Sequence, residues 1–145
     1  MITYNTQQTI EYARKFAKKL RGGEVVGLIG ELGSGKTTFV KGLAEGLKVV
    51  ENITSPTFVI LKSYPAEIED RNIEFVHVDA YRIENIDDIK SVGIEDFLNR
   101  RDVIIIVEWA EKIKKILPKK TIYINFKHKS EKEREISIKT RSSEK

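Results

Sequence analysis

Between residues 24 and 47 the chain reads as a short apolar strand, a glycine-rich turn and an amphipathic helix, in that order. The turn is Gly30-Glu31-Leu32-Gly33-Ser34-Gly35-Lys36-Thr37, which satisfies the pattern G-x-x-x-x-G-K-[ST] at every fixed position. Its glycines let consecutive backbone N–H groups turn toward one point without Cβ clashes, and the helix that follows at once adds its own free N–H groups and positive dipole end. This is the build of a nucleotide phosphate-binding loop. Gly33, Ser34, Gly35, Lys36, Thr37 and Thr38 are its phosphate-cradling candidates; Lys36 reaches the β- and γ-phosphates, and the Thr37 hydroxyl is placed for Mg²⁺. The flanks agree. Residues 24–29 form the apolar run of a buried strand, while Phe39, Val40, Leu43, Ala44 and Leu47 recur at helical spacing, with Gly46 as a weakening or stop near the end.

The rest of the chain extends this unit into an α/β pattern. Residues 6–20 predict a helix with Ile10, Ala13, Ala17 and Leu20 as its apolar stripe, Thr6 as N-cap, and Arg21-Gly22-Gly23 as its end. Residues 58–61 read as a strand, 63–72 as a polar turn carrying Pro65, and 73–79 as a strand ending in a carboxylate. Residues 86–101 look helical in two pieces broken near Gly93. Residues 103–108 form the most apolar strand, buried on both faces as in a parallel sheet. A short helix to Leu117 and Pro118 lead into alternating strands at 121–126 and 135–140. The expected architecture is a three-layer sandwich of the P-loop NTPase type, its central sheet mostly parallel and its two C-terminal strands paired antiparallel.

At 145 residues, 40% hydrophobic and 33% charged, the chain fits one domain spanning 1–145 around a single core. No apolar run approaches the roughly 20 residues needed to span a bilayer, and the first residues lack the basic and apolar regions of a secretion signal. The absence of cysteine excludes disulfides, thiolate metal sites and cysteine nucleophiles. A cytoplasmic nucleotide-using protein with no membrane partner is expected. Charge is uneven: residues 1–110 hold 14 Lys and Arg against 17 Asp and Glu, and residues 111–145 hold 12 against 5. That basic end meets RNA or an acidic protein partner, or is a solvated strand face; lysines alternating with apolar residues fit the solvated face, and no aromatic reading surface for nucleic acid accompanies them.

A phosphate loop needs a carboxylate at the end of a nearby strand to hold Mg²⁺ or its water shell. Asp79 and Glu108 both stand there, and periodicity leaves open which takes the metal and which serves the γ-phosphate or the attacking water. Trp109, the one tryptophan, either lies against an adenine or caps the core. His77, inside a strand, reads as a packed residue rather than a base. Arg82 pairs with Asp79 or a phosphate, or is a surface charge. Ser55-Pro56-Thr57-Phe58 by itself reads as a Pro turn opening a strand.

Taken together, Gly-Glu-Leu-Gly-Ser-Gly-Lys-Thr-Thr at 30–38, Ser-Pro-Thr-Phe at 55–58, His-Val-Asp-Ala-Tyr-Arg at 77–82 and Val-Glu-Trp at 107–109 resemble the TsaE (YjeE) family of bacterial ATPases, over nearly the whole chain. Gly93-Ile94-Glu95-Asp96-Phe97-Leu98 also looks like the family's segment before the central strand. The resemblance implies an Mg-dependent ATPase needed for threonylcarbamoyladenosine modification of tRNA. It would work with a TsaD-type threonylcarbamoyltransferase and its TsaB-type subunit, meeting tRNA through that complex and resetting the transferase between turnovers. It also implies roles: Lys36 and Asp79 catalytic, Thr37 and Glu108 at the metal, Ser55-Pro56-Thr57-Phe58 a switch segment, and Thr6, Trp109 and Arg134 beside the nucleotide. No arginine finger is fixed by sequence, so hydrolysis by the isolated chain is expected to be slow. The rival reading is a small-molecule or nucleotide kinase built on the same loop, although residues 63–72 are too short and too acidic for an obvious lid. A GTP-driven switch lacks its Asn-Lys-x-Asp element.

Overall fold

The computed structural model describes residues 1–31, 33–53 and 61–139. The Ser55–Phe58 segment and all but the last residue of the strand expected at 58–61 lie outside these residues. In chain order the elements are β1 (Ile2–Thr3), α1 (Thr6–Ala17), β2 (Val25–Gly30), α2 (Lys36–Gly46), β3 (Leu61–Ile68), β4 (Arg71–Asp79), α3 (Ile86–Lys90), β5 (Val103–Glu108), β6 (Ile122–His128) and β7 (Arg134–Lys139). Single 3₁₀ turns occupy Ile94–Asp96, Ala110–Lys112 and Lys114–Ile116. One seven-stranded sheet holds all the strands in the order β1-β7-β6-β2-β5-β4-β3. The four inner strands β6, β2, β5 and β4 run parallel, and both flanks are antiparallel. The antiparallel C-terminal pair is as expected; the antiparallel pair at the other flank and the short β1 are additional.

Strand alternation divides the interior into two cores. Val26, Leu28, Phe75, Ile104, Ile106, Ile124 and Phe126 meet α1 and α2 on one side. Val25, Val76, Val78, Val103, Ile105, Val107 and Tyr123 meet Ile89, Ile94, Leu98, Ala110, Ile113 and Leu117 on the other. A strand buried on both faces has no polar alternation, which is why β5 reads as a continuous apolar run. The helices on the first side approach closely. A Cβ built at Gly42 would stand 2.6 Å from the Ile10 carbonyl oxygen, and one at Gly46 would stand 2.6 Å from Ala17 Cβ. Among the described residues, no helix is long and apolar enough to cross a membrane.

Several local expectations are corrected. Asn5, not Thr6, caps α1: its Oδ1 accepts from the Gln8 N–H at 2.8 Å, and Thr6 is the first helical residue. The helix stops at Ala17, and Lys18 to Leu20 follow as a turn that still buries Leu20. Residues 63–72 are not a polar turn but most of a β-hairpin. Tyr64, Ala66 and Ile68 point inward between exposed Ser63 and Pro65, and Pro65 is tolerated because β3 is an edge strand. The turn itself is only Glu69 and Asp70, at φ 48° and 64°. Residues 86–101 are helical in two pieces broken at Gly93, as expected, but both are short: α3 and the 3₁₀ turn Ile94–Asp96, on either side of Gly93 at φ +84°. The short helix expected before Leu117 is two 3₁₀ turns.

Left-handed backbone at two consecutive residues is the habit of Asn-Gly and Asp-Gly hairpins, and Asp70 lacks the freedom glycine has there. Asp70→Gly is expected to raise stability by about 0.5–1 kcal/mol, read as a higher urea midpoint at unchanged slope.

Candidate nucleotide site

The site lies where β2, β4 and β5 end, on the side that faces α2. β2 ends at Gly30, and the chain folds back so tightly that a Cβ there would meet Ser34 Oγ at 2.7 Å and the Phe126 carbonyl oxygen at 2.8 Å. Gly33 and Gly35 take φ +77° and +102°, a left-handed backbone that L side chains strain to adopt. Gly35 caps α2 without any side chain, so the first N–H groups of the helix are left for an acceptor. The Ser34 hydroxyl is buried and has no hydrogen-bond partner among the described residues. An unanswered buried donor beside uncapped amides is the chemistry of an anion cradle.

Lys36 is 5% exposed, and its ammonium donates to the Gly30 carbonyl while lying 3.4 Å from the centre of the Trp109 ring. Burial lowers its pKa, and the carboxylates of Glu111, Glu108 and Asp79 act against that shift. The next residue, Thr37, donates its hydroxyl to Glu108 Oε1 at 3.0 Å, joining α2 to β5. Thr38 occupies the same first turn of α2, half-buried.

Register brings the carboxylates together. Asp79 stands directly opposite Glu108 on neighbouring parallel strands, with the same face exposed toward the helices. Asp79 Oδ1 accepts from the Tyr81 N–H at 3.0 Å. Burial raises the Asp79 pKa, the Tyr81 N–H opposes this, and the neighbouring Glu108 raises it further. Glu108 itself is 3% exposed, and its Oε2 lies 2.6 Å from Nε2 of fully buried His77. His77 is thus packed, as its place inside a strand indicated, but it is also bound to the site's central carboxylate.

Trp109 turns the chain out of β5 with a backbone φ of 60°, rare for a bulky residue. Its half-buried ring carries Lys36 and lies 5.1 Å from the Tyr81 ring. The Lys112 ammonium donates to the Tyr81 carbonyl and sits 5.3 Å from the Tyr81 ring centre. Arg134 does come to the loop, its Cγ lying 3.8 Å from where a Cβ of Gly35 would be. Its Nη1, however, donates to the carbonyls of Ser130, Glu131 and Glu133 and so closes the β6–β7 turn. Thr6 is exposed at the start of α1. The sequence reading missed Lys112 and His128, whose Nε2 lies 3.7 Å from a Cβ built at Gly33. Neither belongs to a spaced motif; only the hairpin register and the 3₁₀ turn bring them in.

No group of three or more His, Cys, Asp or Glu side chains among the described residues is arranged to hold a metal ion alone. A hydroxyl hydrogen-bonded to one carboxylate fits instead a hard ion such as Mg²⁺, which binds proteins through one or two oxygen ligands and takes the rest from phosphates and water.

The model of a protein family described as "Threonylcarbamoyl adenosine biosynthesis protein TsaE" matches residues 3–136. A Bacillus subtilis (strain 168) protein named tRNA threonylcarbamoyladenosine biosynthesis protein TsaE is 38% identical, over 94% of this chain and 82% of its own length. A Treponema pallidum (strain Nichols) protein of the same name is 34% identical, over 94% of this chain and 97% of its own. Among solved structures, Bacillus subtilis YdiB superposes with a TM-score of 0.76 at 34% identity, covering 97% of this chain and 83% of that one.

Proposed function

The chain belongs to the TsaE family, and from that membership we propose that it binds and hydrolyses ATP with Mg²⁺ to drive threonylcarbamoyladenosine modification of tRNA. The observation that carries the ATPase reading is the Thr37–Glu108 hydrogen bond at the mouth of an uncapped helix. It joins the loop's hydroxyl to a strand-end carboxylate, the pair that phosphate-loop ATPases use at their metal. Thr37 and Glu108 would hold Mg²⁺, which would supply positive charge to offset that of the phosphates.

The chain's own groups supply the rest. The N–H groups from Gly33 to Thr38 and the Ser34 hydroxyl receive phosphate oxygens. Lys36 exchanges the Gly30 carbonyl and the Trp109 ring for the β- and γ-phosphates, where its charge stabilises the transition state. Asp79, its basicity raised by burial, orients the attacking water in line with the γ-phosphate. Trp109 and the β6–β7 hairpin with Arg134 wall the loop, and Thr6 and the Ser55–Phe58 segment complete the nucleotide's surroundings by family likeness alone. Arg134 is committed to its own turn. We take a stimulating group to come from a partner, a TsaD-type transferase with its TsaB-type subunit, in the cytoplasm where tRNA is modified.

Reconstitution tests this. With a cognate TsaD–TsaB pair, threonylcarbamoyl-adenylate, tRNA and Mg-ATP, modified adenosine per transferase is expected to exceed one only when this chain is present. Chelating the metal is expected to return the reaction to the level without it. Hydrolysis by the chain alone should rise on adding the pair, since a supplied arginine is worth about 10³–10⁵ in rate. Equal modification without the chain would overturn the tRNA assignment and leave the nucleotide site standing.

A further inference from the structure

The reaction described above uses Glu108 but not the buried side chain bound to it. We propose that His77 is the positioning residue of Glu108: its Nε2–H holds one carboxylate oxygen so that the other is presented to Thr37 and to the divalent cation of the nucleotide. The inference rests on the nucleotide–Mg²⁺ reading of the site.

The register makes this contact obligatory. On β4, Ile73, Phe75, His77 and Asp79 point to the helix side; on β5, Ile104, Ile106 and Glu108 do. His77 pairs with Ile106 and Asp79 pairs with Glu108, so His77 stands one step below Glu108 on the adjacent strand. Asp79 Oδ1 accepts from the Tyr81 N–H, and the hydrogen bond of the imidazole Nε2 runs to Glu108. The His77 Nε2 to Glu108 Oε2 distance is 2.6 Å, at the short end for a bond to an ionised acceptor. In the proposed arrangement Glu108 accepts as a carboxylate and Nε2 carries the donated proton.

Two anchors do what one does not. Glu108 has three rotatable side-chain bonds, and the Thr37 hydroxyl alone leaves the second oxygen buried and unanswered, a costly state that rotation of the carboxylate would relieve. With Oε2 held by His77 and Oε1 facing Thr37, the carboxylate plane is fixed. The described residues offer no cluster of three ligands for the ion. The orientation of this single carboxylate is thus a large part of the protein's share of coordination, which is the role outer partners play at metal sites. An apolar side chain of similar volume would fill the space beside Phe75 and Ile106 but leave Glu108 Oε2 unanswered; the imidazole answers it, at the cost of its own Nδ1, which has no hydrogen-bond partner among the described residues.

The geometry also selects the control. A glutamine amide nitrogen reaches about as far as Nε2 of histidine, and an asparagine amide reaches only to the Nδ1 position. Full-length wild type, His77→Leu, His77→Gln and His77→Asn would be loaded with a non-hydrolysable ATP analogue. Mn²⁺ binding would then be titrated by electron paramagnetic resonance, with analogue affinity in EDTA and thermal melting measured alongside. His77→Leu and His77→Asn are expected to weaken Mn²⁺ binding about 10–100-fold, and His77→Gln to stay within about threefold of wild type, with EDTA affinity for the analogue unchanged. Wild-type Mn²⁺ affinity in His77→Leu, or equal losses in His77→Gln and His77→Asn, overturns the proposal. A fall in metal-free analogue affinity that matches the Mn²⁺ loss also overturns it. Should His77→Leu fail to fold, the glutamine–asparagine contrast decides alone. If wild type adds no Mn²⁺ affinity to that of the free analogue, the nucleotide–metal reading fails first and this inference falls with it.

Discussion

Lys36→Ala is expected to lower ATP hydrolysis by about 10²–10³-fold while leaving the fold nearly as stable as before. The reason lies in what the lysine does with and without phosphate. Without it, the ammonium is already buried, is bound to the Gly30 carbonyl and rests against Trp109. Desolvation there offsets much of what those contacts contribute, as the lowered pKa of Lys36 records. Its removal therefore costs stability little, on the order of 1 kcal/mol for one hydrogen bond and one cation–π contact. At the transition state the same charge meets developing negative charge in a water-poor site, where its value is far larger. Steady-state phosphate release and a thermal melt check both halves. Hydrolysis within threefold of wild type would remove Lys36 from the mechanism; a collapsed melt would make the loss a folding effect.

The second large effect concerns the packing behind the loop. Gly42→Ala replaces glycine by the best helix former inside α2, which propensity alone would score as a gain of about 1 kcal/mol. The structure predicts the opposite sign. The added Cβ would stand 2.6 Å from the Ile10 carbonyl oxygen and 2.8 Å from Ala13 Cβ, and backbone in a packed helix cannot step aside cheaply. A net loss of about 2 kcal/mol is expected, and about 3–4 kcal/mol with Gly46→Ala added, which for a domain of this size lowers the melting temperature by roughly 10 °C. The two sites lie one turn apart against the same helix, so their effects are not expected to add simply. Because α2 begins at Lys36, a forced separation of α1 and α2 should also weaken nucleotide binding. A stabilised Gly42→Ala would mean that the helices are less close than described here.

The parts of the site that could be read from sequence are those whose chemistry fixes spacing. The loop's glycines, Lys36 and Thr37 form a contiguous pattern, and Glu108 stood out because five apolar residues of a buried strand lead into it. Residues 63–72 failed for a physical reason. Pro65, Ser63 and a run of acidic residues carry turn chemistry locally, but β3 is an edge strand, where proline and exposed polar side chains are tolerated. The inward set Tyr64, Ala66 and Ile68 is the only trace of the strand, and Ala66 in its middle is a weak signal. The two helical pieces expected within 86–101 are present about Gly93 but shorter than expected, because apolar residues at helical spacing also suit a chain of turns laid over a sheet, where tertiary packing on Val76, Val78 and Ile105 does the ordering. Thr6 took the cap from Asn5 in the reading because both residue types cap well and they are adjacent. The His77–Glu108 bond could not be read at all: it depends on which strand lies beside β5 and in what register, information that is not local.

Insertion of one residue within β4 would move His77 and Asp79 from the helix side of the sheet to the opposite core, and insertion within β5 would do the same to Glu108. The active groups would be lost although every one of them remained in the chain. Length can change instead where no strand phase is carried forward, as at the Glu69–Asp70 turn, which projects from the end of the sheet away from Asp79. An engineer fusing a label or a reporter into this protein, or a lineage lengthening it, has room there and none along the two strands that frame the carboxylates.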